Sequence, residues 1–119
     1  MGQIRDVMST RLHTVEPSDS VGEAVAVMAQ NRVGSVLIMQ GDQLVGIFTE
    51  RDTVRALSQA HDAARHEIVS WMTHDPRTVS PDEDSDAALR TMLDNGFRHL
   101  PVVENGKVVG IVSMRDLAG

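Results

Sequence analysis

Two stretches of the chain have residue types and spacing that could do chemistry: Gly46-Ile47-Phe48-Thr49-Glu50-Arg51-Asp52 and Gly110-Ile111-Val112-Ser113-Met114-Arg115-Asp116. In each, a hydroxyl residue stands three positions before a carboxylate, where an apolar strand-like run gives way to a helical pattern. Thr49 and Ser113 would cap the helix by accepting backbone N–H groups, and Asp52 and Asp116 would reach back to close a capping box, worth about 1 kcal/mol. The same helix N-terminus also offers N–H donors and a positive dipole end to a phosphate. The aspartate, an acceptor-only group, would take the two hydroxyls of a ribose. Gly46 and Gly110 would let a ligand approach the strand backbone closely. Cap and ligand site are compatible, because a cap satisfies at most two of a helix's four orphan donors.

Few other groups compete for a chemical role. The chain has no cysteine, which excludes disulfides, thiolate nucleophiles, iron–sulfur clusters and cysteine-ligated zinc. His61 and His66 are five apart, about 500° around a helix, so they do not form a same-face metal pair, and they read as solvated linker residues. His13 and His74 read as surface residues. The methionines read as core filling and Trp71 as buried between repeats, so no metal site is expected. Ser113 with Asp116 lacks a histidine orienter, and no separate carboxylate pair stands out, so catalysis is not expected.

The elements that must position the two stretches emerge when the chain is slid against itself by 64 residues. Between the pairs Ile4/Ile68 and Asp52/Asp116, 13 of 49 positions are identical without a gap, against roughly three expected from residue frequencies. The matches include Met8/Met72, Thr14-Val15-x-Pro17 with Thr78-Val79-x-Pro81, Ala24/Ala88, Met28/Met92, Asn31/Asn95, Val45-Gly46-Ile47 with Val109-Gly110-Ile111, and Arg51-Asp52 with Arg115-Asp116. Val21, Ala24, Val25 and Met28 have one-faced helical spacing, predicting a helix over about 20–31. Ala88, Leu89, Met92 and Leu93 predict its counterpart, stopped at Asn95-Gly96. The runs at 35–39 and 44–48, joined by Gly41-Asp42, predict a hairpin, as do those at 100–103 and 108–112 around Asn105-Gly106. Short helices follow at Thr49 and Ser113. The order is strand, helix, strand, strand, helix, twice. Residues 1–57 form repeat one, 58–66 a polar linker and 67–119 repeat two, with Glu67–Met72 a short helix leading into it. One repeat cannot cover both faces of its sheet, so the two should pack together and share a core, with a pseudo-twofold cleft between them.

Composition narrows the partners. The formal net charge is −6 and the aromatic residues are Phe48, Trp71 and Phe97, a poor match to a phosphate backbone or a base-stacking platform, so nucleic acid is not expected. No run approaches the roughly 20 apolar residues that span a bilayer, residues 1–6 lack a secretion signal, and Asp6 spoils an N-myristoylation motif. A cytoplasmic protein without a membrane partner is expected.

The doubled Gly-Ile-x-Thr/Ser-x-x-Asp motif, the two Thr-Val-x-Pro segments and Arg98-His99-Leu100-Pro101-Val102-Val103 resemble a tandem pair of cystathionine-β-synthase-type (CBS) domains, a Bateman module. The resemblance runs from Ile4 to Ala118. It implies an α+β fold of two β-α-β-β-α repeats, packed as a pseudo-twofold pair around a shared core, with adenosine-type ligands bound between them. It also implies that Asp52 and Asp116 hold ribose, that Thr49 and Ser113 lie by phosphate, and that Thr14, Val15, Thr78 and Val79 line the adenine pocket. Arg98 and His99, with Arg115 or Arg51, are the cations a phosphate would need in so acidic a chain. Gly34 and Ser35 align with Arg98 and His99, so the two sites are not equivalent, and either motif aspartate could share a site with Arg98. The expectation is a stand-alone, non-catalytic regulatory sensor, with AMP, ADP, ATP, NAD or S-adenosylmethionine as bound effector and no required cofactor. A homodimer and an unknown regulated protein are its expected partners. The alternative is a ligand-free dimerisation or docking module.

Overall fold

A computed structural model describes residues 2–118. Helix α1 spans Ile4–Val7, followed by β1 (Thr14–Val15), α2 (Val21–Asn31), β2 (Ser35–Gln40), β3 (Gln43–Thr49) and α3 (Glu50–Gln59). After two 3-10 turns, Ala63–Arg65 and Ile68–Ser70, come β4 (Thr73–His74), α4 (Ser85–Asn95), β5 (His99–Glu104), β6 (Lys107–Ser113) and α5 (Met114–Ala118). No helix among the described residues is long and apolar enough to cross a membrane.

Local chemistry accounts for most boundaries. The Ser20 hydroxyl accepts from Glu23 N–H at 3.0 Å, and the Glu23 carboxylate returns to Ser20, closing a capping box on α2. Asp84 caps α4 by accepting from Ala87 N–H at 3.0 Å. Both helices end on a left-handed residue: Gly96 after α4, and Arg32 at φ 55° after α2. The hairpin turns are two residues long, since Gln40 pairs with Gln43 and Glu104 with Lys107. Asn105 and Gly106 both have positive φ, which a tight turn matching the strand twist requires.

The chain folds as two compact units that do not coincide with the repeats: His13–Pro76 is one, and Met1–Leu12 with Arg77–Gly119 the other. In the first, β1 lies parallel to β2, β2 antiparallel to β3, and β3 antiparallel to β4, making a four-stranded sheet in the order β1-β2-β3-β4. In the second, β5 and β6 pair antiparallel, and the flanking strands shrink to single bridges, Val79 on Val102 and Ser9 on Ile111. The strand expected at Thr78-Val79 is therefore one bridge.

The stretch expected as a short helix leading into repeat two is instead a 3-10 turn that completes the unit of repeat one. Ile68 and Met72 join Val15, Val21, Ala24, Met28, Val36, Ile38 and Phe48 in its core, and Thr73-His74 extends its sheet. Ile4 does the same for the other unit, joining Val79, Ala88, Met92, Leu100, Val102 and Val112. The physical reason is coverage: a hairpin with one helix leaves apolar sheet surface, and the segment preceding the next repeat buries it. Each unit closes a core of its own.

Candidate functional site

The Thr49 and Asp52 pair sits where β3 runs into α3. Asp52 N–H donates to Thr49 Oγ1 at 3.3 Å, and Thr49 N–H donates to Asp52 Oδ2 at 3.0 Å, the expected capping box. Glu50 N–H donates to the Gly34 carbonyl at 3.1 Å. Three of the four N-terminal donors are thus used within the unit, so at most one remains for a phosphate, not the two or more that the cap alone would leave.

Asp52 is only 8% exposed, the one buried acidic group among the described residues. Its Oδ2 also accepts from the Thr49 hydroxyl at 3.2 Å and the Thr73 hydroxyl at 3.5 Å. Its Oδ1 faces Arg55 Nη2 at 3.6 Å, one helical turn along α3. One carboxylate oxygen is therefore crowded with donors, while the other keeps lone-pair capacity beside a positive charge. Such a group is a preorganised acceptor for a hydroxyl donor.

Among the described residues, the equivalent junction in the other unit is built on the same plan with fewer supports. Ser113 N–H donates to Asp116 Oδ2 at 2.8 Å, Asp116 N–H donates to Ser113 Oγ at 3.2 Å, and Met114 N–H donates to the Arg98 carbonyl at 2.8 Å. Asp116 is exposed, on a helix of five residues. His99 is half-buried and stands opposite Ser113 in the β5–β6 register, while Arg98 and Arg115 are exposed.

Gly46 and Gly110 have a packing explanation. A Cβ on Gly46 would stand 2.5 Å from Met72 Sδ and 3.0 Å from the Thr73 carbonyl. On Gly110 it would meet Met8 Sδ and the Ser9 carbonyl, both at 2.8 Å. The room expected for a ligand is filled by the chain itself, and the repeat identity Met8/Met72 is explained along with the glycines.

The structure gathers Thr14, Val15, Gly46, Thr49 and Asp52 in the His13–Pro76 unit, and Thr78, Val79, Arg98, His99, Gly110, Ser113, Arg115 and Asp116 in the other. Thr14 pairs with Leu37, and Val15, which is buried, with Ile38. Sequence reasoning missed Arg55, Thr73 and Trp71. Arg55 was detectable, lying three positions after Asp52 on the same helix face, but Thr73 and Trp71 reach the site only through the fold. His66 is likewise not the solvated linker residue expected: its ring stacks on Trp71 with centroids 6.0 Å apart and accepts the indole N–H at 3.0 Å. Trp71 itself is half-buried inside the His13–Pro76 unit.

Comparison with known proteins agrees with the repeat and the motif. A CBS domain family profile matches residues 4–59 and again 65–119. The chain belongs to the CBS domain family. The crystal structure of the CBS-domain containing protein ATU1752 from Agrobacterium tumefaciens is 30% identical, with a TM-score of 0.94 over 98% of this chain and 97% of that one. The CBS domain pair of protein MJ0100, solved in complex with 5′-methylthioadenosine and S-adenosyl-L-methionine, is 28% identical, with a TM-score of 0.89 over 98% and 93% of the two chains. CBSX2, solved in complex with AMP, is 27% identical, with a TM-score of 0.84 over 98% and 92%. The α+β fold expected from the sequence is that of CBS pairs. Among the described residues of this CBS chain, no three His, Asp or Glu side chains group to hold a metal ion.

Proposed function

We propose that this CBS pair is a non-catalytic regulatory sensor of an adenosine-containing ligand. The observation that carries the reading is Asp52: a buried carboxylate fixed by Thr49 and Thr73 through one oxygen, with the other turned toward Arg55 and able to accept from a ribose hydroxyl. The complexes of MJ0100 with 5′-methylthioadenosine and S-adenosyl-L-methionine, and of CBSX2 with AMP, support the ligand class. In this reading Thr49 lies by the phosphate or its equivalent, and Thr14 and Val15 lie by the base. In the other unit Asp116, Ser113, Thr78 and Val79 take the corresponding roles, with Arg98, His99 and Arg115 supplying charge for a phosphate. Gly46 and Gly110 contribute by holding Met72 and Met8 behind their strands. Signalling is a population shift: the ligand favours whichever arrangement binds it better, by no more than its difference in affinity.

A thermal-shift screen of the purified protein with AMP, ADP, ATP, NAD, S-adenosylmethionine and 5′-methylthioadenosine tests this. A ligand at 100 times its dissociation constant adds about 2.7 kcal/mol and raises the melting temperature by several degrees. A selective shift names the effector. No shift with any of the six overturns the sensor reading in favour of a dimerisation or docking module, to which Val54, 69% exposed, and Leu57, 48% exposed, lend an unpartnered apolar face on α3.

A further inference from the structure

Asp52 is linked to the only tryptophan of the chain by an unbroken series of contacts, all within the His13–Pro76 unit. Arg55 Nη2 lies 3.6 Å from Asp52 Oδ1 and donates to the Trp71 carbonyl at 2.6 Å. The guanidinium carbon stands 5.5 Å from the centre of the indole ring, within cation–π range. The indole donates its N–H to His66 Nδ1, and His66 Nε2 lies 3.1 Å from Asp62 Oδ1. Because an indole N–H only donates, Nδ1 of His66 must accept. The imidazole proton then belongs on Nε2, facing Asp62. Trp71 is thereby held on both sides, and it holds Arg55 in turn.

This arrangement rests on the adenosyl-ligand reading and deepens it. We propose that Arg55, held by Trp71, whose indole is held in turn by His66, is a positioning residue for Asp52, and that through it the indole registers what Asp52 binds. At 3.6 Å Arg55 holds the carboxylate by charge without a close hydrogen bond, so Oδ1 keeps the capacity to accept a hydroxyl. A hydroxyl arriving there draws on the same carboxylate charge that attracts Arg55, and the balance between Asp52 and the indole shifts. Segment 66–74 feels that shift directly. It carries His66 and Trp71 at the far end of the series, Met72 against Gly46, and Thr73, whose hydroxyl reaches Asp52. It also leads, through residues 75–76, into Arg77, where the other unit resumes, so the site and one chain connection between the units lie on the same segment.

No equivalent series is encoded in the other unit. At a shift of 64, Trp71 aligns with Val7, His66 with Gly2 and Arg55 with Gly119. The prediction is specific to Asp52.

Trp71 provides the readout, because its emission is the whole tryptophan signal of the protein. In ligand-free protein, Asp52→Asn should shift that emission, and the same substitution made on an Arg55→Ala background should leave it unmoved. Arg55→Lys, which keeps the charge but not the planar stack, should give an intermediate response. In AMP titrations, emission and calorimetry should give one midpoint. Arg55→Ala should weaken AMP about two- to fivefold, as expected for a half-exposed charge pair, and abolish the emission change. Arg55→Lys should restore affinity better than it restores the emission change. Equal emission shifts from Asp52→Asn with and without Arg55, or calorimetric binding of AMP with no change in emission, would overturn the coupling. Absence of AMP heat in the wild type would count against AMP as effector, while the ligand-free cycle still decides the role of Arg55. Should Arg55→Ala fail to fold by circular dichroism, Arg55→Gln carries the same cycle.

Discussion

The two copies of the Gly-Ile-x-Thr/Ser-x-x-Asp motif fold to the same cap and to different sites. Both aspartates accept from the backbone N–H of the capping residue, and both helices give their first N–H to the carbonyl before the hairpin, Gly34 or Arg98. Beyond that they diverge. Asp52 is buried, shares its second turn with Arg55 and receives Thr73 from the segment that follows. Asp116 is exposed on a short helix, with Ser113 as its support. The motif therefore specifies a helix start, worth about the same in both places, and residues outside it decide how a carboxylate is held for a ligand. Position 73 is threonine where its repeat mate is Ser9, and position 71 is tryptophan where its mate is Val7.

The largest effects should come from the segments that cross from one repeat to complete the unit of the other. Ile68 and Ile4 are fully buried repeat mates, each in the core of the unit built mainly from the other sequence repeat. Ile68→Ala and Ile4→Ala should each cost about 2–5 kcal/mol in urea unfolding. Amide exchange sharpens the test: Ile68→Ala should speed exchange in β2 and β3, and Ile4→Ala in β5 and β6. The reverse pattern would break the assignment of segments to units. Next in size are the aspartates. Asp52→Ala removes the returning half of the capping box and takes the acceptor from the half-buried Thr49 N–H and from the Thr73 hydroxyl, for about 1–2 kcal/mol, whereas Asp116→Ala should cost about 0.5–1 kcal/mol, the returning half of its box alone. Equal losses from the two would erase the distinction between them.

The sequence made the duplication, the caps, the hairpins and the motif legible because each depends on residues within a few positions of one another. Ser20 with Glu23, Thr49 with Asp52 and Asn105 with Gly106 act locally, and spacing suffices to find them. The destination of segment 67–74 was not legible. A repeat alignment equates Ile68 with Ile4 and Met72 with Met8 but is silent on which hairpin each covers, since both hairpins present similar apolar faces. The same silence hid the reason for Gly46 and Gly110. A glycine before a helix start reads as room for a ligand until Met72 and Met8 are found occupying it. Trp71 and His66 were misread for a related cause: their partners Arg55 and Asp62 lie in sequence nearby, but only the return of the chain after α3 brings ring, guanidinium and imidazole together.

The smallest contrast between the repeats lies at the ends of their long helices. Asn31 and Asn95 are repeat mates, and the next residue turns left-handed in both, as Arg32 at φ 55° and Gly96 at φ 75°. A non-glycine residue in that region bears about 1–2 kcal/mol of steric cost that glycine avoids. Glycine gives back roughly 0.5–1 kcal/mol through its greater freedom in the unfolded chain. Arg32→Gly should therefore stabilise the protein by about 0.5–1 kcal/mol, and Gly96→Arg should destabilise it by a similar amount, both read from the midpoint of urea unfolding at constant slope. Opposite signs would show that the two helix ends differ only in the residue that fills a common turn. A loss from Arg32→Gly would instead mean that the arginine side chain contributes more than its backbone strain costs, and the resemblance between the two helix ends would stop at the backbone.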